Sequence, residues 1–279
     1  MQAILRLIAL LPLRVLHALG SVLGWLMYGM SPTYRKHVAE NLRAARYDDV
    51  RVRRGAIRAA GQMITELPVL WQRPNAEVAA LVKETPGAED AYAAQKSGKA
   101  ILFLTPHMGS FEVAAQYAAS LMPITVLYRR PKFRWLEPVM REGRGRGNVR
   151  LASADRSGVK EILAAIKRGE AVGLLPDQVP GVGEGDWSDF FGRPAYTMTL
   201  AAKLAGRDNV ACYLAFAKRL PGGRGYSIVV RPLPRAKAGE SATRRLNRAL
   251  EELIAECPEQ YLWGYNRYKI PAGAPPPPE

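Results

Sequence analysis

Cysteine, histidine and acidic residues are all scarce in this chain, and each shortage narrows what it does. Its 279 residues include two cysteines and three histidines. Cys212 and Cys257 suit a reducing compartment and stand at no metal-ligand spacing; Cys212 sits in the apolar run Val210 to Phe216 and reads as core. His17, His37 and His107 have no partner histidine or cysteine at ligand spacing, so no protein-bound metal is expected. Acidic side chains number 25 against 40 lysines and arginines, a formal charge of +15. That balance points to nucleic acid, an anionic membrane surface or acidic substrates, unless it reflects only a generally basic proteome. No recognised nucleic-acid-binding motif accompanies the charge, and an apolar N-terminus argues against that class. Gly-x-Ser-x-Gly is absent, which counts against an α/β-hydrolase esterase. The glycine clusters at Gly143 and Gly181 fail the dinucleotide spacing, with Asn148 and Asp186 where a third glycine belongs. No linker and no internal repeat divide the chain. It reads as one domain with an N-terminal appendage, long enough to bury a full core.

Apolar residues crowd the N-terminus from Ile4 to Met27, interrupted early by Arg6 and Arg14. From Val15 to Tyr34 no side chain carries a formal charge, about the twenty residues that a spanning helix needs. Gly20, Gly24, Gly29, Pro32 and His17 weaken that run. Ala18-Leu19-Gly20 offers a small-x-small cleavage site, but Arg14 and His17 lie where an apolar signal core belongs, and the run continues past the site. Residues 1–30 are therefore expected to form a membrane anchor helix, spanning or in the membrane plane. The arginines from Arg35 to Arg58 that follow suit either anionic headgroups or a solvated helix face.

From Lys99 onward strands and helices alternate. Strands are expected at Ala100 to Leu104, Ile124 to Tyr128, Ala171 to Leu175, Val210 to Ala217 and Tyr226 to Arg231. Helices are expected at Glu112 to Leu121, Phe133 to Glu142, Ser157 to Arg168, Thr197 to Ala205 and Ser241 to Glu256. This pattern predicts an α/β sandwich with a largely parallel central sheet over residues 31–270. The segment 271–279, rich in proline, is expected to be disordered.

The stretch Ile101 to Tyr117 concentrates the chemistry. A short apolar strand ends at Thr105-Pro106, a helix begins near Ser110, and His107 lies between them. Such a loop stands at the carboxyl end of a strand, where open α/β sheets bind ligands. Glu112 follows five residues after His107, a turn of about 140° in an ideal helix, so the two meet only if His107 precedes the helix. Pro106 and Gly109 supply that break. Glu112 is then placed to accept from one ring nitrogen of His107, leaving the other to take a proton from a hydroxyl; a structural cap at the strand end is the plainer reading. Free N–H groups at the helix start suit an anion. Further on, Arg129, Arg130, Lys132, Arg134, Arg141, Arg144, Arg146 and Arg150 form a basic segment able to grip phosphates or dock an acidic carrier protein, or simply to be solvated. Asp177 and Gln178 end the third strand on the same sheet edge. Asp177 is placed to orient an arginine such as Arg144 or to line a pocket, or else to form an Asx turn before Pro180. The loop Gly181 to Gly192 reads as a mobile, lipid-facing lip. Trp263 and Tyr265 read as core.

His107-Met-Gly-Ser-Phe-Glu112 resembles the His-x-x-x-x-Asp/Glu motif of glycerolipid acyltransferases, in the form found in the bacterial lipid A biosynthesis (lauroyl/myristoyl) acyltransferase family. The likeness extends to Tyr128-Arg129 with Arg144-x-Arg146, to Pro176-Asp177-Gln178 with Phe190-Phe191-Gly192, and to Pro258-Glu-Gln-x-x-Trp263-x-x-x-Arg267-Tyr-Lys. Gly109-Ser110 replaces a bulkier apolar stretch of the enterobacterial enzymes, and Tyr128-Arg-Arg-Pro131 is one residue longer than their Tyr-Arg-Pro. The resemblance implies an O-acyltransferase with His107 and Glu112 catalytic. Its matched positions imply substrate contacts at Gly109, Ser110, Tyr128, Arg129, Arg144, Asp177, Gln178, Phe191 and Gly192. The implied donor is an acyl carrier protein or CoA thioester acting as co-substrate, with no other cofactor. The implied acceptor is a hydroxyl of a lipid A precursor, or of another lysophospholipid or glycolipid, at the cytoplasmic side of the bacterial inner membrane.

Overall fold

A computed structural model describes residues 2–131 and 133–277. Six helices precede the first strand: α1 (Gln2–Ala9), α2 (Leu13–Met30), α3 (Pro32–Ala44), α4 (Val50–Thr65), α5 (Leu67–Gln72) and α6 (Asn75–Ala80). Next come β1 (Val82–Glu84), α7 (Ala88–Lys96), β2 (Ala100–Leu104), α8 (Phe111–Leu121), β3 (Ile124–Tyr128), α9 (Glu137–Arg144), β4 (Val149–Ser153), α10 (Arg156–Lys167) and β5 (Ala171–Leu174). The chain ends with β6 (Gly185–Phe190), β7 (Arg193–Met198), α11 (Thr199–Ala205), β8 (Val210–Arg219), β9 (Tyr226–Pro232) and α12 (Ala242–Ala255).

Seven strands form one sheet in the order β1-β9-β8-β2-β5-β3-β4, and β6 pairs with β7 as a separate antiparallel ribbon. All neighbours in the sheet are parallel except β8 and β9. The expected α/β architecture with a largely parallel sheet is present. Successive side chains of a strand face opposite ways, and β2 uses both faces for core. Ile101 packs with buried residues of α5, α7 and α8, whereas Ala100, Leu102 and Leu104 pack with α10, α11 and α12.

Three parts of the sequence reading change. The anchor is not one helix: α1 and α2 are bent by 116° across Leu10-Leu11-Pro12, and among the described residues no single helix is long and apolar enough to cross a membrane. Pro12 lacks an N–H and disfavours helix at the residue before it, which forces the elbow. Arg73 then caps the freed carbonyls, donating to Ala9 at 2.8 Å and Leu11 at 2.9 Å. Second, Gly185–Phe190 is strand β6 rather than part of a mobile lip, because Phe190 is buried against the core beside α12. Third, β1 and β4 are short edge strands whose charged residues hid them in the sequence. At the C-terminus the Pro275 carbonyl accepts from Trp187 Nε1 at 2.9 Å. Lys132 of the basic segment and residues 278 and 279 of the expected disordered tail lie outside the described residues.

Helix α2 lies along α4 at very close range. Gly20 and Gly24 face Gly61 and Ile57, and a Cβ on Gly61 would overlap the Gly20 carbonyl. Small residues at that spacing let two helix backbones approach. Inward, α2 buries Leu13, Leu16 and His17; outward, it exposes Leu19, Val22, Trp25 and Leu26. Gly61→Leu is expected to destabilise the protein by about 1–3 kcal/mol of overpacking. That is roughly 2–4 °C of melting temperature per kcal/mol at this size, read by thermal unfolding.

Candidate active site

Strands β2 and β5 are hydrogen-bonded neighbours with Leu104 opposite Leu174, and the Thr105 N–H extends the pairing by donating to the Leu174 carbonyl at 2.9 Å. Their carboxyl ends therefore lie side by side, and the next residues of each loop meet. His107 Nδ1 lies 2.7 Å from Asp177 Oδ1, while the His107 backbone N–H donates to Asp177 Oδ2 at 2.9 Å. Asp177 is 2 % exposed. Burial alone would raise its carboxyl, but the charge of His107, the hydrogen bonds from its ring and backbone, and Arg267 hold it below its ordinary value. An ionised carboxylate only accepts, so Nδ1 carries a proton, and in the neutral form of the ring the lone pair is on Nε2. Gln178 Nε2 lies 3.2 Å from that lone pair and donates to it. Phe111 packs edge-on against the ring, with centroids 5.2 Å apart.

Glu112 has a different partner from the one expected. It is the second residue of α8, and its side chain is directed toward α5 and α9. Arg144 Nε donates to Glu112 Oε1 at 2.7 Å, and Arg144 Nη2 pairs with the same oxygen. Trp71 Nε1 donates to Oε2 at 3.4 Å, and the Arg144 guanidinium lies 5.9 Å from the Trp71 ring centroid. Asp177 thus takes the position beside His107 that was expected of Glu112, and Glu112 holds the arginine that Asp177 was expected to orient. Spacing along the chain does not reveal this partner, because Asp177 arrives at the end of a neighbouring strand, 70 residues away.

His107, Glu112, Tyr128, Arg129, Arg144 and Gln178 all line one cleft, about 1170 Å³ with its open mouth. Gln116, Met140 and Met198 also line it and were not anticipated. Gly109 and Ser110 are not among the lining residues; they shape the turn. Gly109 has φ +56°, and a side chain there would overlap the Ala217 carbonyl. That left-handed, crowded position requires glycine. Ser110 is buried as the N-cap residue of α8. Phe191 and Gly192 lie away from the cleft, in the β6–β7 turn, where the Phe191 N–H donates to Glu251 and its ring packs on Tyr47 and Trp263. Much of the basic segment is already bound: Arg130 to Glu137, Arg141 to the Tyr128 hydroxyl, Arg146 to the carbonyls of Leu70 and Arg73, and Arg150 to Glu170. Arg129 is exposed at the cleft and makes no ion pair among the described residues. Nor do those residues gather three or more His, Cys, Asp or Glu around a metal position.

A second, narrow pocket, with about 60 Å³ of room for water-sized molecules, lies between the sheet and helices α7 and α8. Its walls are apolar, and small residues make the room: Ala88, Ala91, Ala114, Ala115, Ala118 and Gly173. It shares the wall residues Phe111, Ala115, Val126 and Leu175 with the cleft, beside His107. The alanine face of α8 was the only trace of it in the sequence. A cleft with a positioned base, adjoining an apolar pocket, suits a reaction at the head of a hydrocarbon chain.

Residues 1–270 match the sequence profile of the family described as bacterial lipid A biosynthesis acyltransferase. A lipid A biosynthesis lauroyltransferase of Escherichia coli (strain K12) is 27 % identical over 285 aligned residues, covering 98 % of this chain and 91 % of that protein. A lipid A biosynthesis palmitoleoyltransferase of the same organism is 26 % identical, covering 76 % of this chain and 69 % of its own length. A lipid A biosynthesis acyltransferase of Haemophilus influenzae is 26 % identical, with coverage of 63 % and 56 %. The profile spans nearly the whole chain, so the protein belongs to the bacterial lipid A biosynthesis acyltransferase family and is an O-acyltransferase.

Proposed function

We propose that the protein moves a fatty acyl group from an acyl carrier protein thioester, or from acyl-CoA, to a hydroxyl of a lipid A precursor. The observation that carries this reading is the cleft beside His107 that shares the wall residues Phe111, Ala115, Val126 and Leu175 with an apolar pocket. The acyl tail lies in the apolar chamber, and its thioester carbonyl sits in the cleft. The acceptor hydroxyl displaces Gln178 from His107 Nε2, gives its proton to that nitrogen, and attacks the carbonyl carbon. Asp177 fixes the ring and offsets its positive charge. Arg144, held by Glu112, and the N–H groups at the start of α8 stabilise the oxyanion. The C–S bond then breaks, and His107 returns the proton to the leaving thiolate. Arg129 at the cleft suits a phosphate of the acceptor or of the phosphopantetheine arm.

The enzyme works at the cytoplasmic face of the inner membrane. The outward side of α1 and α2 supports this, with Leu7, Leu10, Leu19, Val22 and Leu26 all more than half exposed. An apolar helix face flanked by Arg6 and Arg14 suits an anionic bilayer in the plane of its headgroups.

Purified enzyme with acyl carrier protein thioester and a lipid A precursor tests the reaction by mass spectrometry. His107→Ala and Asp177→Asn are each expected to lower kcat by about 10²–10⁴-fold, the usual worth of a positioned base. Unchanged transfer by His107→Ala would sink the mechanism, whereas transfer to phospholipid acceptors alone would overturn the acceptor. Ala118→Phe fills the chamber, so with thioesters of graded length the longest accepted chain should lose about 10-fold or more in kcat/KM. Replacing Leu19, Val22 and Leu26 together by Ser should shift the protein from the pellet to the supernatant when it is sedimented with anionic vesicles. Undiminished sedimentation would exclude α2 as the membrane face.

A further inference from the structure

Behind the catalytic turn lies a buried ionic cluster that the reaction scheme does not use. Glu66, at the end of α4, is 1 % exposed and accepts four hydrogen bonds. Arg219 Nε and Nη2 donate to its two oxygens at 2.9 and 2.6 Å, the Tyr226 hydroxyl donates at 3.0 Å, and His17 Nε2 of α2 lies at 3.2 Å. Burial would raise the Glu66 carboxyl, but Arg219 and His17 hold it down to about 2. Arg219 is buried too, and its Nη2 makes one more bond, to the Gly109 carbonyl at 2.9 Å.

A buried ion pair is poor evidence for stability, because taking two charges out of water costs about what their attraction returns. Its value here lies in what it holds. The backbone of the His107 turn is bound at nearly every step. His107 N–H goes to Asp177, Gly109 N–H to the Gln260 carbonyl at 3.0 Å, and Ser110 N–H to the Ala217 carbonyl at 2.8 Å. The His107 carbonyl accepts from Leu262 N–H at 2.9 Å. Among the described residues no backbone N–H reaches the Gly109 carbonyl, and Arg219 supplies the bond. The same guanidinium is gripped by Glu66, which is gripped by α2.

We propose that Arg219 is a positioning residue for acyl transfer: with Glu66 and His17 it ties helix α2 to the Gly109 carbonyl, so that the seating of the N-terminal helix sets the geometry of the catalytic base. This rests on His107 being that base. Arg219→Lys keeps the charge but not the fork that reaches both Glu66 and Gly109, and Glu66→Gln keeps the shape but not the charge. Each is expected to lower kcat roughly 10- to 100-fold, the scale of a base displaced by about 1 Å, while KM for the thioester changes less than about 2-fold. His17→Leu, which frees α2 but leaves the Glu66–Arg219 pair, should lower kcat by a smaller factor. Hydrogen exchange reads the turn without substrate: the amides of Gly109 and Ser110 should exchange faster in all three variants, with β2 and β5 unchanged. Should Glu66→Gln or Arg219→Lys fail to fold, His17→Leu combined with Tyr226→Phe carries the same test. Wild-type kcat in the folded variants would overturn the proposal, as would a fall in kcat without faster exchange in the turn. A wild-type enzyme that transfers no acyl group would instead overturn the parent reading, and the exchange comparison would still decide whether Arg219 holds the turn.

Discussion

Two parallel strands in register, Leu104 opposite Leu174, put the histidine and its carboxylate within one hydrogen bond of each other. Everything else at the site is arranged around that meeting. Both strands are buried on both faces, so neither can slide without turning core side chains toward solvent or helix backbone. The contact between His107 and Asp177 is thereby held by the whole hydrophobic core, not by the two loops that carry it. Loops of this kind are precise because the scaffold beneath them is rigid.

The N-terminal helices belong to that scaffold. Glycines at the α2–α4 crossing bring the backbones together, Arg73 secures the elbow, and the neighbouring Trp71 touches Glu112. One face of α2 therefore packs toward the catalytic turn, and the other is exposed and apolar. A membrane helix that stood free of the domain would have no such connection.

Much of this was legible beforehand because it depends on short-range pattern. Strands β2 and β3 fall where the apolar runs Ala100 to Leu104 and Ile124 to Tyr128 placed them, and α8, α10 and α12 begin and end within two residues of expectation. What escaped depends on contacts between distant segments. The pairing of His107 with Asp177 follows from strand order, which periodicity does not reveal. The ribbon β6–β7 carries glycines and charges that resemble a loop, and the burial of Phe190, Ala195, Tyr196 and Thr197 makes it a fixed element. Apolar character continues across α1 and α2, and it is Pro12 that divides them into two helices.

Under the proposed reaction, the chamber beneath α8 makes the substrate part of the fold. Protein interiors are packed to the density of organic crystals, and a lined gap forfeits the contacts that a side chain would make. Here alanines and a glycine line a narrow gap of about 60 Å³, and the acyl tail of the donor supplies the missing atoms as it enters. Stability and donor occupancy are then linked by mass action, by about 2.7 kcal/mol when donor stands 100-fold above its dissociation constant. The enzyme waiting for substrate is the looser molecule, and the loaded enzyme has the completed core.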